Sequence, residues 1–363
     1  MPPKLPITTH LRLLATFAVV IVPCASLRAV RATIRAWIGG LPVGASMWNA
    51  FAGTLMTNVP ADQLQVILPS TVDTYTAWML ASGNPSTVDV LDDDKTRLLW
   101  MGPKQGKKVV LFFHGGGYVM PLSKGHLEWM AHIRNEASRA GVQLSVCILE
   151  YDLIPTHPYP RQMAQATRAF DHLLASGYQP SDIIFGGDSA GGHLSLSLLS
   201  HLHHHRPSEA PAIHLTQRVQ GCFLVSPLAS FNLNSPSYRR WFSADVLDHR
   251  VVRKWGDYLI RNSPWQDEIS AGQGWGMALD VSEQWWEGLN VVNRILVTGG
   301  YEEVFSDHIQ QLGAVLGRNT SAEVVLYMAQ EAHDGPLMDF AAGRAPSETT
   351  RAITDFIISS FSA

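Results

Sequence analysis

The sequence predicts an α/β fold with a mostly parallel central sheet, helices on both faces and a helical cap. From about residue 107 onward, strand-length apolar runs alternate with helix-length segments, a rhythm typical of parallel sheets. The apolar runs have no polar side, as expected for strands buried between two layers of helices. The chain has 363 residues, which allows one large α/β domain with a smaller cap.

Six segments are predicted to be strands and five to be helices. The strands are Lys108 to Phe113, Leu144 to Leu149, Asp182 to Phe185, Gln220 to Val225, Arg294 to Thr298 and Glu323 to Tyr327. The helices are Gly125 to Ala140, Pro160 to Ser176, Ser189 to Leu202, Val304 to Leu316 and Ser347 to Phe361. Right-handed crossovers would place such helices on both faces of the sheet.

Two stretches lie outside this alternation and are interpreted as cap material. The first covers residues 1–85, followed by a catalytic domain at 86–363. The second, at about 231–290, is an insertion within that domain and is rich in tryptophan: Trp241, Trp255, Trp265, Trp275, Trp285 and Trp286. Aromatic side chains can build an apolar pocket, although we expect most of these six to serve ordinary packing.

An apolar run near the N-terminus, Leu13 to Ala25, is flanked by basic residues. The run is short for a membrane-spanning helix and contains Pro23. A cleaved signal peptide is a second interpretation, and an interfacial helix belonging to the cap is a third. Membrane association through residues 11–27 therefore stays open. A cytoplasmic or membrane-associated protein is favoured over a secreted one.

Composition narrows the class of partner. A formal net charge of −4 and 16% charged residues do not predict a nucleic-acid-binding surface, so a small neutral or apolar substrate fits better. Cys24, Cys147 and Cys222 are expected to be buried thiols. The histidine tract at 201–205 ends a predicted helix and is not interpreted as a metal site. No metal or cofactor is predicted, and the oligomeric state stays open.

The segment Phe185 to Gly192 reads FGGDSAGG and carries the pattern GxSxG between a predicted strand and a predicted helix. This context is typical of a nucleophile elbow, in which a serine is held on a sharp turn. Glycine at positions 187 and 191 would leave room for that turn. Ser189 is therefore the candidate nucleophile.

A second glycine motif, His114 to Gly117, directly follows the strand Lys108 to Phe113. Acyl transfer needs N–H donors where negative charge develops on the carbonyl oxygen. Backbone N–H groups of Gly116, Gly117 and Ala190 are the candidates for this oxyanion hole. His114 is expected to hold its loop, and His193 to point along the helix after the elbow.

HGGG followed by GDSAGG resembles the hormone-sensitive-lipase family of α/β-hydrolases, which includes carboxylesterases and arylacetamide-deacetylase-like enzymes. Between the motifs, residues 150–160 read EYDLIPTHPYP, similar to the DYRLAPEHPFP loop of that family. The resemblance covers roughly residues 95–360. It implies the α/β-hydrolase fold and a serine hydrolase that needs no cofactor.

A serine hydrolase requires a histidine base oriented by a carboxylate. His333 follows the last predicted strand, where the chain order serine, acid, histidine requires the base. For the acid, the segment Thr298 to Asp307 offers three carboxylates after a strand. The family usually has aspartate where its register places Glu302, so Glu302 is the predicted acid, with Glu303 or Asp307 as alternatives.

The sequence thus predicts a Ser-His-Glu/Asp carboxylic-ester hydrolase that forms an acyl-enzyme on a small to medium neutral or apolar ester, for which the resemblance allows a biosynthetic role. The same residues would serve acyl transfer or lactone formation. A non-catalytic small-molecule-binding protein on the same fold is the alternative from another class, although Ser189 and His333 in their expected places favour turnover.

Overall fold

A computed structural model describes residues 17–91, 96–104, 106–207, 210–239 and 245–362. Within these residues eight strands form one mixed sheet in the order β1-β2-β4-β3-β5-β6-β7-β8. The strands are β1 (Thr87–Val90), β2 (Arg97–Met101), β3 (Lys108–Phe113), β4 (Leu144–Glu150), β5 (Ile183–Asp188), β6 (Gly221–Val225), β7 (Arg294–Gly300) and β8 (Glu323–Ala329). Strands β3 to β8 are parallel, whereas β2 is antiparallel to both β1 and β4.

The predicted α/β fold with a mostly parallel sheet is confirmed, and all six predicted strands are present. Strands β1 and β2 were not predicted. Both are short, and β1 forms the edge of the sheet, where its residues are only partly buried. A short edge strand lacks the long apolar run by which a buried parallel strand is recognised.

Helices cover both faces of the sheet and extend over one end of it. Those of the core are α5 (Lys124–Arg139), α6 (Arg161–Ala175), α7 (Ala190–His203), α11 (Ser306–Asn319), α12 (Gly335–Ala341) and α13 (Glu348–Ser362). All but the short α12 correspond to the five predicted helices. Side chains along β3 alternate between the two faces: Leu111 and Phe113 pack on one side, and Val110 and Phe112 on the other. The centre of the sheet is therefore buried on both faces, whereas the edge strand β8 is partly exposed.

Four helices precede the sheet: α1 (Val22–Gly39), α2 (Val43–Asn58), α3 (Ala61–Ile67) and α4 (Thr71–Ala81). Helices α1 and α2 form an antiparallel hairpin, in which Ala25, Ala32 and Ala36 of α1 are buried. With the preceding turn, the helix Phe17–Gly39 is long and apolar enough to cross a membrane, judged by length and composition alone. Residues 11–16 of the predicted membrane-associating segment lie outside the described residues.

Helices α8 (Pro236–Arg239), α9 (His249–Ile260) and α10 (Trp265–Ser270) belong to the tryptophan-rich insertion. Trp286 is fully buried, and Trp275 packs edge-on against Trp285. Trp255 on α9 instead lines the cavity described below. Trp241 lies outside the described residues. The tryptophans described here thus divide between packing and pocket wall.

The three thiols occupy two kinds of environment. Cys147 and Cys222 are buried in strands β4 and β6, as expected. Cys24 is exposed on α1, so the expectation of a buried thiol is wrong there. The buried residues of α1 are Ala25, Ala32 and Ala36, and Cys24 does not lie among them.

Candidate active site

Ser189 occupies a sharp turn between β5 and α7. Its φ of 50° and ψ of −111° lie outside the regions that L-residues favour, as a strained nucleophile elbow requires. A Cβ on Gly187 or Gly191 would lie 2.1 or 1.9 Å from the carbonyl oxygen of Phe113. Only glycine therefore fits on either side of this turn.

The structure brings Ser189 and His333 together with Glu303. His333 Nε2 lies 2.8 Å from Ser189 Oγ, and His333 Nδ1 lies 2.6 Å from Glu303 Oε2. All three residues are buried, with Glu303 fully shielded from solvent and Ser189 7% exposed. The serine follows β5, the glutamate β7 and the histidine β8. Because these strands are parallel neighbours in the sheet, their carboxyl ends meet at one edge.

The prediction that Glu302 orients the histidine is wrong in this geometry. After β7 the backbone continues to pair with the residues that follow β8, since Tyr301 N–H donates to Ala329 and Glu302 N–H donates to Glu331. The half-buried Glu302 side chain accepts a hydrogen bond from Gln330, and the next residue, Glu303, points inward. The alternative Asp307 accepts the N–H of Ser237 and braces the insertion instead.

The inner oxygen of Glu303 is fixed by further donors. Glu303 Oε1 accepts from the Ser226 hydroxyl at 2.9 Å and from the Gly300 N–H at 2.5 Å. Ser226 Oγ also lies 3.3 Å from the N–H of Asp334. The carboxylate therefore has a single orientation, with Oε2 directed at the imidazole.

Two acidic residues close to His333 were missed by the sequence analysis. Asp245, fully buried, accepts the backbone N–H of His333 at 3.2 Å and that of Val304 at 3.0 Å. Asp334, 3% exposed, places Oδ2 at 3.1 Å from His333 Nε2. The position of Asp334 beside His333 in sequence was a signal for the second, whereas no local pattern indicates the first.

These carboxylates determine the electrostatics of the histidine. Burial lowers the pKa of the His333 imidazole, but the carboxylates of Asp334 and Glu303 outweigh it and raise that pKa well above its usual value. Burial raises the pKa of the Asp245 carboxyl to about 6. The site therefore stabilises positive charge on His333, the charge that a base acquires when it takes the proton of a serine.

The three candidate oxyanion residues, Gly116, Gly117 and Ala190, line the same cavity as Ser189. The φ angles of Gly116 and Gly117 are 101° and 61°, in the region that favours glycine. A Cβ on Gly117 would lie 2.1 Å from the Trp255 ring. Glycine thus lets this loop pass close under α9.

His114 and His193 lie near the elbow, and neither imidazole is hydrogen-bonded to the Ser189 hydroxyl. Burial lowers the pKa of His114 to about 3, and its Nδ1 lies 2.8 Å from the carbonyl oxygen of Gly115. His193 contacts the Tyr118 hydroxyl through Nδ1 and the Gly276 carbonyl through Nε2. His114 thus contacts its own loop, and His193 links α7 to the insertion.

A cavity of about 530 Å³ opens onto Ser189 and His333. Its wall is largely apolar and comes from the N-terminal hairpin, the insertion and α12, including Leu55, Met56, Val252, Leu259 and Leu337. Among the described residues, no group of three or more His, Cys, Asp or Glu side chains is arranged so that it could hold a metal ion. Within the histidine tract, His201 and His204 contact backbone carbonyl oxygens of Pro211 and Trp285.

A family model described as alpha/beta hydrolase fold matches residues 110–335. The chain is similar to an esterase of Acinetobacter venetianus, with 32% identity over 36% of this chain and 39% of the relative. It is also similar to an acetyl-hydrolase of Streptomyces hygroscopicus, with 30% identity over 59% of this chain and 63% of the relative. These alignments cover less than two thirds of either relative.

Solved structures show the same fold at low identity. An esterase/lipase from an uncultured bacterium has a TM-score of 0.61 and 21% identity, covering 94% of this chain and 99% of its own. A structure from a study of two fungal esterases of Rhizomucor miehei has a TM-score of 0.64 and 15% identity, covering 87% of this chain and 95% of its own. At such identity, likeness is evidence of the fold alone.

Proposed function

Because the chain belongs to the hormone-sensitive-lipase-like α/β-hydrolases, we propose that it hydrolyses carboxylic esters through Ser189, His333 and Glu303. The observation that carries this proposal is the continuous hydrogen-bonded chain from Ser189 Oγ through the imidazole to Glu303. A serine hydroxyl becomes nucleophilic when such a base can take its proton.

In this mechanism Ser189 Oγ attacks the ester carbonyl while His333 Nε2 takes the hydroxyl proton. Glu303 stabilises the imidazolium that forms. Backbone N–H groups of Gly116, Gly117 and Ala190 would stabilise the oxyanion, where loss of a single donor costs about 3–4 kcal/mol. The imidazolium then protonates the departing alcohol, and water releases the acid by the same route in reverse.

The cavity supports a substrate that is neutral and apolar. A volume of about 530 Å³ falls within the range of small-molecule sites, which are mostly apolar with few polar groups. The named esterase and acetyl-hydrolase relatives support an ester of small to medium size. We further propose that residues 1–85 and about 231–290 act as a cap on the catalytic domain, residues 86–363, because both contribute to the wall of this cavity.

The proposal includes association of α1 with a membrane surface. At 3.6 residues per turn, Val30, Ile34 and Trp37 follow one another on the side opposite the packed alanines, and these three side chains are 53–81% exposed. The exposed Arg31 borders this apolar row, because it precedes Ile34 by three residues and lies about 60° from it around the helix. An exposed apolar face with a basic border is typical of helices that lie in a lipid interface.

Flotation with vesicles of anionic or zwitterionic phospholipid tests this association. Full-length protein should float with anionic vesicles, and Trp37→Asp should weaken flotation. Leu80→Asp is the matched control, because Leu80 is 80% exposed and belongs to α4, which is not part of the hairpin α1–α2. Equal flotation of Trp37→Asp and wild type, or no flotation of wild type, would refute the membrane proposal.

Hydrolysis of p-nitrophenyl esters from acetyl to palmitoyl, by wild type and Ser189→Ala, tests the enzymatic proposal. We expect activity on short to medium chains that disappears in Ser189→Ala. Product analysis in the presence of an added alcohol separates hydrolysis from acyl transfer. A folded wild type that cleaves none of these esters would refute the proposal and favour a binding role.

A further inference from the structure

The active-site cavity has a neighbour of similar size between the start of α2 and the end of α12. This second cavity, here called the outer cavity, has a volume of about 550 Å³ and includes Ala45, Trp48, Ala341 and Arg344 in its wall. Arg344 is ion-paired with an aspartate of α12, and the rest of the wall is apolar. Trp48 and Ala341 also line the active-site cavity, so these two residues stand at the boundary.

One face of α2 runs along both cavities. Ala45 lines the outer cavity, and Trp48 lines both. Ala52 and Leu55 line the active-site cavity. These positions are three or four residues apart, so they follow one another on one side of the helix, and the rise from Trp48 to Leu55 is about 10 Å. Because the neighbours of Trp48 along this face are alanines, its indole is the bulk that divides the face.

The opposite wall of the boundary has little freedom to move. Helix α12 packs so closely on α5 that a Cβ on Gly125 would lie 3.0 Å from the Ala341 Cβ and 3.1 Å from its backbone nitrogen. A close-packed contact of this kind leaves α12 no room to shift toward α5. Trp48, by contrast, is 45% exposed. The width of the opening between the cavities therefore depends on the side chain at position 48.

We propose that Trp48 sets the upper limit of chain length for the ester substrate, because its indole ends the active-site cavity at the boundary with the outer cavity. An apolar chain that fits between Ser189 and the indole is accepted, whereas a longer chain meets the ring. The outer cavity is the space that a longer chain enters when the side chain at position 48 is small. This inference rests on the proposed ester hydrolysis and names the residue that restricts it to short and medium chains.

The test measures kcat/KM for two pairs of dissolved esters in wild type and Trp48→Ala. One pair varies the acid, as p-nitrophenyl butanoate and decanoate, and the other varies the alcohol, as ethyl and octyl butanoate. Each methylene that becomes buried adds about fourfold to kcat/KM. We therefore expect kcat/KM for the long ester, and its ratio to the short ester, to rise roughly tenfold or more in at least one pair. The pair that gains identifies the half of the ester that faces α2.

A second substitution tests whether the gained chain lies in the outer cavity. Ala45→Leu adds bulk to that cavity and does not touch the active-site cavity. Combined with Trp48→Ala it should remove most of the gain, and alone it should keep the wild-type ratio. Trp48→Leu keeps an apolar side chain on α2 and should give a smaller gain than Trp48→Ala.

Trp78→Ala is the matched control, since it removes the same side-chain atoms from a half-buried position on α4 that lines neither cavity, and it should keep the wild-type ratio. No gain for either long ester in Trp48→Ala and Trp48→Leu, or a gain that Ala45→Leu leaves intact, would overturn the inference while leaving ester hydrolysis in place. A wild type that already prefers both long esters would overturn it as well. Turnover of none of the four esters by folded wild type would overturn both proposals.

Discussion

Replacing Glu303 with glutamine should abolish most activity, because the structure dictates which amide atom would face the histidine. Glu303 Oε1 accepts hydrogen bonds from Ser226 and from the Gly300 N–H, so the amide oxygen must take that position. The amide nitrogen then takes the position of Oε2, which in the wild type lies 2.6 Å from His333 Nδ1. Two N–H donors cannot face each other, and the imidazole must move its proton to Nε2.

A proton on Nε2 removes the lone pair that would accept the Ser189 proton. In the trypsin-like triad the corresponding aspartate-to-asparagine change lowers kcat about 10,000-fold for this reason. At 1.36 kcal/mol per factor of ten, that equals about 5 kcal/mol of lost transition-state stabilisation. We expect a loss of kcat of this order in Glu303→Gln with little change in KM, because the cavity wall stays intact.

The assay is p-nitrophenyl butyrate hydrolysis by wild type, Glu303→Gln and Glu302→Gln, with circular dichroism to verify folding. Glu302→Gln should stay within about twofold of wild type, as for most substitutions away from buried features. Retention of more than a tenth of wild-type kcat in Glu303→Gln would refute the tautomer argument. A larger loss in Glu302→Gln than in Glu303→Gln would return the role of the acid to Glu302.

Three further changes test two acidic residues of the site and one ion pair outside it. Asp245→Asn places an amide N–H opposite one of the backbone N–H groups from which the carboxylate accepts a hydrogen bond. The resulting displacement of the His333 loop should lower kcat roughly tenfold to a hundredfold. Steady-state kinetics should show this loss in kcat with KM unchanged. Asp334→Asn removes a negative charge beside His333, which lowers the pKa of the imidazole and keeps it unprotonated to lower pH. The acid limb of the kcat/KM profile should therefore move to lower pH, and a shift to higher pH would contradict the argument. Arg206→Met leaves the Glu268 carboxylate buried without its ion-pair partner and should destabilise the fold by about 3–5 kcal/mol in urea titration.

The sequence predicts the core of this fold because its elements are governed by local patterns. Each parallel strand from β3 to β8 is a short apolar run, and each crossover helix has its own length and spacing. Ser189 could be predicted for the same reason, since GxSxG between a strand and a helix describes one tight turn. His333 follows from chain order after the last strand.

The carboxylate that contacts His333 could not be predicted from local pattern, because Glu302 and Glu303 are adjacent glutamates. Only the direction in which each side chain points distinguishes them. That direction depends on how the backbone after β7 pairs with the backbone after β8. The paired residues Glu302 and Glu331 are 29 positions apart in the sequence. A strand-end pattern predicts that a carboxylate is present, but such pairing determines which one turns inward. The family usually has an aspartate at the position of Glu302. Here the carboxylate that reaches His333 belongs to the next residue, Glu303, whose side chain is one methylene longer.

Asp245 shows how the proposed cap and the proposed catalytic centre depend on each other. Its side chain accepts the N–H of His333, and its backbone carbonyl accepts a hydrogen bond from the Arg28 guanidinium at 2.9 Å. Arg28 belongs to α1, whose outer face we propose to lie on a membrane, while Val304, held by the same carboxylate, directly follows Glu303. One buried residue thus connects the N-terminal hairpin to His333 and to the residue after Glu303, so a displacement of α1 would change the position of the imidazole as well as the wall of the cavity.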